Sequence, residues 1–172
     1  MNKPEYIVIH HSLTKDGTTV DWEAIRKYHV ETNGWKDIGY HAGIERIGGV
    51  LKSMKGRDDL AIGAHCKEAG MNNRSIGICI VGNFDLTPPD LETLRFLRNM
   101  CFAYMVNYGI PAQNVIGHRD AGLMAGYDWR KVGPTGVREF KTCPGELFPM
   151  QALQEILAGK IDFSGAFAGG RG

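Results

Sequence analysis

Three side chains of the kind that bind metals or attack carbonyls stand beside apolar stretches or tight turns of this sequence: His10, His118 and Cys143. A catalytic zinc ion commonly takes three protein ligands from histidine, cysteine and carboxylates, and keeps a fourth position open for water. The same residues could instead form a nucleophilic cysteine with His118 as its base. The donors lie far apart, with no HExxH helix and no CxxC pair, so their spacing decides between neither. The ordinary alternative for each histidine is a surface or capping residue at a strand end.

The elements that would have to position these donors can be read from hydrophobic patterning. Residues 6–9 form an apolar run that ends in His10-His11-Ser12, as a strand buried on both faces does where a cleft opens. Side chains alternate along a strand, so Tyr6, Val8 and His10 share one face and Ile7, Ile9 and His11 the other. One histidine of the pair can therefore enter a given site, and His11 reads as structural. Val115-Ile116-Gly117-His118 repeats the design in a second short strand. The most continuous apolar run, residues 76–82, reads as a central strand, and its Gly77 lets another group pack closely against it.

Between these strands the pattern predicts a helix over residues 20–32, carried by Trp22 and Ile25 and stopped at Asn33-Gly34. A strand over residues 37–46 turns at Gly48-Gly49 into a hairpin, and residues 52–73 read as loop. The longest helix opens at residues 87–90, with Thr87 as its cap, and runs to Gly109 through Leu91, Leu94, Leu97 and Cys101. Residues 119–140 read as a glycine-rich loop, Pro149 starts a final helix to Leu157, and residues 159–172 read as a flexible tail. The fold class is α/β: one domain, residues 1–158, with a central mixed sheet flanked by helices and a cleft at the strand ends carrying His10 and His118.

The composition excludes several function classes. The chain has 172 residues, 43% hydrophobic and 23% charged, the balance of one globular domain. With 20 Lys+Arg against 19 Asp+Glu it has no basic field for nucleic acid. No apolar run is long enough to span a membrane, and the opening Met1-Asn2-Lys3-Pro4-Glu5 lacks the apolar core of a signal peptide, so cytoplasmic synthesis is expected. Cys66, Cys79 and Cys101 read as free buried thiols.

Five segments carry a resemblance that spacing alone does not. They are residues 6–12, Asp37-Ile38-Gly39-Tyr40-His41, Asn73-Arg74-Ser75-Ile76-Gly77-Ile78, Gly117-His118-Arg119-Asp120 and Lys141-Thr142-Cys143-Pro144. In this order they resemble the zinc-dependent N-acetylmuramoyl-L-alanine amidases of type 2, a family that includes phage endolysins and peptidoglycan recognition proteins. The resemblance covers residues 6–157.

It implies one zinc ion held by His10, His118 and Cys143, with Tyr40 facing the metal's water and Lys141 beside the reacting carbonyl. Residues at i and i+2 of an extended segment point the same way, so Lys141 and Cys143 can enter one cleft, independently of any relative. The Gly63-Ala64-His65 segment resembles one near the family's substrate groove, which makes His65 a candidate substrate contact. The implied reaction is hydrolysis of the amide between N-acetylmuramic acid and L-alanine of peptidoglycan, by a monomer released onto the cell wall when the membrane is breached. A recycling amidase for soluble muropeptides and a non-catalytic peptidoglycan-binding module are the alternatives. The stretch from 121 to 140 is longer than the family pattern suggests between its last two ligands.

Overall fold

The computed structural model describes residues 1–13 and 20–163; residues 14–19, and 164–172 of the expected tail, lie outside the described residues. Five strands form one mixed sheet in the order β3-β2-β4-β1-β5, where β1 is Tyr6–His11, β2 Ala42–Ile47, β3 Val50–Lys55, β4 Ser75–Ile80 and β5 Val115–Gly117. Only β2 and β3 are antiparallel; the β2, β4, β1 and β5 neighbours are parallel. Parallel strands need cover on both faces, and the apolar runs supply it: Ile7, Val8, Ile9, Ile76 and Ile78 are all fully buried.

The two faces are covered by different helices. Ile7, Ile9, Ile76, Ile78 and Ile80 pack with α2 (Leu91–Tyr108) and α4 (Met150–Leu157) through Leu94, Leu97, Cys101, Leu153 and Leu157. On the other face Val8 meets Met71, Ile116 and Ala121, the last from α3 (His118–Met124), while Trp22 and Ile25 of α1 (Trp22–Lys27) pack beside Cys79. His10 projects to this second face, as alternation from Val8 requires.

Register brings the two histidines together. Ile9 pairs with Gly117 across the parallel β1 and β5 strands, so His10 and His118, one step further on, lie side by side at the carboxyl ends of their strands. That end of an open α/β sheet is where ligand crevices form.

Several elements differ from the sequence reading. Strand β2 begins at Ala42, because the backbone of residues 37–39 is bound elsewhere: Arg57 donates to the Ile38 and Asp37 carbonyls, and the Gly39 amide donates to His29 Nδ1. The hairpin forms at Gly48-Gly49, both at positive φ, as a tight turn between twisted strands requires. Strand β3 extends to Lys55, and Glu68–Asn73, where loop was expected, forms short 3-10 turns broken by a kink at Ala69 and Gly70, both at positive φ. The first helix passes into a π-helical turn at Tyr28–Thr32. Asp90, not Thr87, caps α2 by accepting from the Thr93 amide at 2.7 Å; with Pro88 and Pro89 behind it, Asp90 is the first residue whose side chain reaches a free amide of the first turn. The expected loop at 119–140 opens as α3. At the other end, packed chain continues past α4 to Phe163, whose ring lies under the Arg95 guanidinium. Among the described residues no helix is long and apolar enough to cross a membrane.

Candidate metal centre

His10, His118 and Cys143 each present one donor atom to a common point, all within 4.8 Å of one another. His10 Nδ1 lies 3.1 Å from His118 Nδ1 and 3.6 Å from Cys143 Sγ. Strand ends deliver the imidazoles; a tight turn delivers the sulfur. Asp85 holds that turn, accepting from the Thr142 hydroxyl at 2.9 Å and the Glu146 amide at 2.8 Å.

The electrostatics suit a cation. Burial lowers the His10 pKa well below its usual value, and the neighbouring His118, His65 and Lys141 lower it further. His118 is brought down to about 4 by burial and by Lys141, with Glu68 opposing. Both rings are therefore neutral near pH 7, with a lone pair to give. Burial pushes the Cys143 thiol up to about 12. A thiol without a cation beside it keeps its proton, and a bound divalent ion displaces it. Two imidazole nitrogens and one sulfur converging from three elements fit a zinc site with one open position. A cysteine nucleophile is favoured by a depressed thiol pKa, and burial pushes the Cys143 thiol the other way.

The donors form the floor of an open cleft of about 760 Å³. Tyr40 and Lys141 both line it, with His29, Trp35, Val137 and Phe140. The Tyr40 ring stands 5.1 Å from the His10 ring and leans on Trp22 behind it. Burial, with the Cys79 and Cys143 thiols nearby, raises the Tyr40 pKa well above that of a free phenol, so its hydroxyl keeps its proton. Lys141 is exposed, two residues before the sulfur donor, with its ammonium 5.6 Å from the Phe140 ring centre. The stretch after α3 folds back as a small hairpin, bridged between Val132 and Arg138, and brings Val137 and Phe140 to the rim.

His65 also borders the cleft, but both of its ring nitrogens are engaged: Nδ1 is 3.0 Å from His10 Nε2, and Nε2 is 3.5 Å from Ser75 Oγ. His41 turns away from the site, accepting at Nδ1 from the Gly77 amide and bonding Ala61 O through Nε2. His11 accepts at Nδ1 from the Phe84 amide on the opposite face of β1. All four cysteines are free and buried. A second donor group, Cys66, Glu68 and His118, lies behind the first, but His118 faces it through Nε2, which is bonded to Glu68 at 2.9 Å.

The family model described as N-acetylmuramoyl-L-alanine amidase matches residues 1–146. The chain belongs to this family. Among amidase relatives, the endolysin of Enterobacteria phage T3 is 43% identical over 101 residues, covering 54% of this chain and 63% of that protein. Peptidoglycan-recognition protein LB of Drosophila melanogaster is 31% identical over 121 residues, covering 66% of this chain and 50% of that protein. The aligned stretches thus span less than two thirds of these relatives. Among solved structures of the amidase fold, the N-acetylmuramoyl-L-alanine amidase LysC from Clostridium intestinale URNW superposes with a TM-score of 0.69 at 26% identity, covering 91% of this chain and 86% of that one. Wild-type Drosophila PGRP-LB superposes with a TM-score of 0.62, also at 26% identity, covering 86% of this chain and 79% of that one.

Two residues at this site escaped the sequence reading. Glu68 sits in a stretch without periodicity, and nothing in its neighbours marks it as a partner of His118. Arg119, buried beneath the Cys143 turn, follows a candidate ligand directly, yet a charged residue after a histidine carries no signal of its own.

Proposed function

We propose that the chain is a zinc-dependent hydrolase of the amide between N-acetylmuramic acid and L-alanine in peptidoglycan, with His10, His118 and Cys143 as the metal ligands. The observation that carries this reading is the convergence of two imidazoles and one thiol on the floor of a cleft also lined by Tyr40 and Lys141. Zinc in such a site lowers the pKa of water from ~16 toward ~7 and polarises a carbonyl.

The chain's own residues do the rest. The cleft takes the lactyl-peptide junction with its carbonyl toward Lys141, whose ammonium stabilises the negative charge that develops on the carbonyl oxygen. Tyr40 keeps its proton and so orients the attacking water by hydrogen bonding instead of acting as its base. The aromatic and apolar wall of Trp35, Val137 and Phe140 limits water at the reacting centre. The products are a free lactyl carboxylate on the sugar and a free amine on L-alanine.

That relatives are named endolysins supports intact wall, reached after membrane breach, over soluble muropeptides as the substrate we propose. The test is release of stem peptides from purified sacculi by the full chain, lost on chelation and restored by zinc. Binding to sacculi with no new amino termini would leave a peptidoglycan-binding module instead. Faster turnover of soluble fragments than of sacculi would favour the recycling reaction.

A further inference from the structure

A single short segment, residues 65–75, meets both candidate imidazole ligands at Nε2, the ring nitrogen opposite the Nδ1 that faces the common point. Glu68 Oε2 lies 2.9 Å from His118 Nε2, and His65 Nδ1 lies 3.0 Å from His10 Nε2. We infer that Glu68 and His65 are positioning residues that fix each imidazole in the tautomer whose Nδ1 lone pair faces the metal. The inference rests on the zinc reading above and adds to it the groups that set the ligands.

The tautomers follow from bonds that can run only one way. Ser75 Oγ donates its proton to the Met71 carbonyl at 2.7 Å, so toward His65 it can only accept. His65 therefore carries its proton on Nε2 and offers a lone pair at Nδ1. His10 must then donate from Nε2, which leaves its Nδ1 bare. At His118 the partner is a carboxylate: Glu68 Oε2 lies 2.9 Å from Nε2, with both side chains buried. An ionised carboxylate only accepts, so His118 also donates from Nε2 and leaves Nδ1 bare.

The segment is braced as a support should be. Asn72 Oδ1 accepts from the His65 and Cys66 amides, each at 2.8 Å, and closes the segment on itself. The His65 ring lies flat against β4 where a Cβ on Gly77 would stand 2.5 Å from its Cγ, so the close packing expected of that glycine is the seat of this histidine. Asn2 Nδ2 donates to the Ser75 carbonyl at 2.9 Å and ties the far end to the start of the chain.

The test uses the full-length chain, with zinc affinity measured by competition against a chelator dye and ring nitrogen shifts recorded on metal-free protein. In the wild type, His10 and His118 are expected to show protonated Nε2 and unprotonated Nδ1. Glu68→Ala is expected to weaken zinc binding about 10- to 100-fold and to mix the His118 tautomers while leaving those of His10 unchanged. Glu68→Gln, which can still accept through its amide oxygen, is expected to restore most of the affinity. His65→Leu is expected to mix the His10 tautomers alone. Tight zinc binding by wild type and by both Glu68→Ala and His65→Leu would overturn the inference, as would wild-type rings protonated at Nδ1, a result that needs no variant to fold. A wild type that binds no zinc would overturn the zinc reading itself.

Discussion

The amide of Arg119 donates to the carbonyl of Cys143 at 2.7 Å. Arg119 follows His118 in sequence, so this bond joins the segments that carry two of the three donors. The side chain continues the clamp, donating to the Gly145 and Phe148 carbonyls beneath the Trp129 ring.

Arg119→Ala removes two charge-assisted hydrogen bonds and strands two buried carbonyls. Urea unfolding of the metal-free chain is expected to show a loss of about 3 kcal/mol, accompanied by weaker zinc binding. Arg119→Lys keeps the charge without the two-pronged donor and is expected to fall between. A fully stable Arg119→Ala chain with unchanged zinc affinity would show that the clamp is dispensable.

Lys141→Met removes the cation that the proposed mechanism sets beside the reacting carbonyl and leaves the three donors in place. Turnover on sacculi is expected to fall about 100- to 1,000-fold, with zinc content unchanged. Loss of zinc in parallel with activity would instead give Lys141 a role in holding the site.

Tyr40→Phe keeps the ring against His10 and Trp22 and deletes only the hydroxyl. A fall in kcat of about 100-fold is expected, with zinc affinity and stability close to wild type. An unchanged kcat would remove Tyr40 from the chemistry.

His41 sets a pH dependence of stability away from the donors. Burial lowers its pKa from the usual 6.5, although the Ala61 carbonyl and Asp59 pull the other way. Above pH 6.5 both folded and unfolded chains hold it neutral, and nothing is lost. Below that the unfolded chain takes the proton first, so stability falls as pH drops, by about 1.4 kcal/mol per pH unit for this residue, until the folded ring titrates too. In metal-free protein, His41→Gln is expected to shrink the stability difference between pH 7.5 and 5.5; an unchanged difference would show that His41 titrates alike in both states.

The strands that carry the histidines were legible because β-branched runs ending in polar residues have few other solutions; Lys141 and Cys143 were marked by the resemblance, and alternation added only that both can enter one cleft. What the sequence hid was mostly register and long-range partnership. Nothing in residues 6–12 and 115–118 says that Ile9 lies opposite Gly117, the pairing that sets the two rings side by side. Helix α3 was hidden by its own glycine: Gly122 argues for loop, yet it is there because a Cβ would stand 2.4 Å from the Phe140 ring. Glu68 was hidden because its importance lies in a bond to a residue fifty positions away.

The most direct test of the proposed zinc site is metal content measured beside hydrolysis of sacculi, on wild-type chain and on Cys143→Ser. The expected result is one zinc ion per active wild-type chain, and a Cys143→Ser chain that folds, holds zinc at least about 100-fold more weakly and releases no stem peptides. A wild-type preparation that is fully active without metal would contradict it.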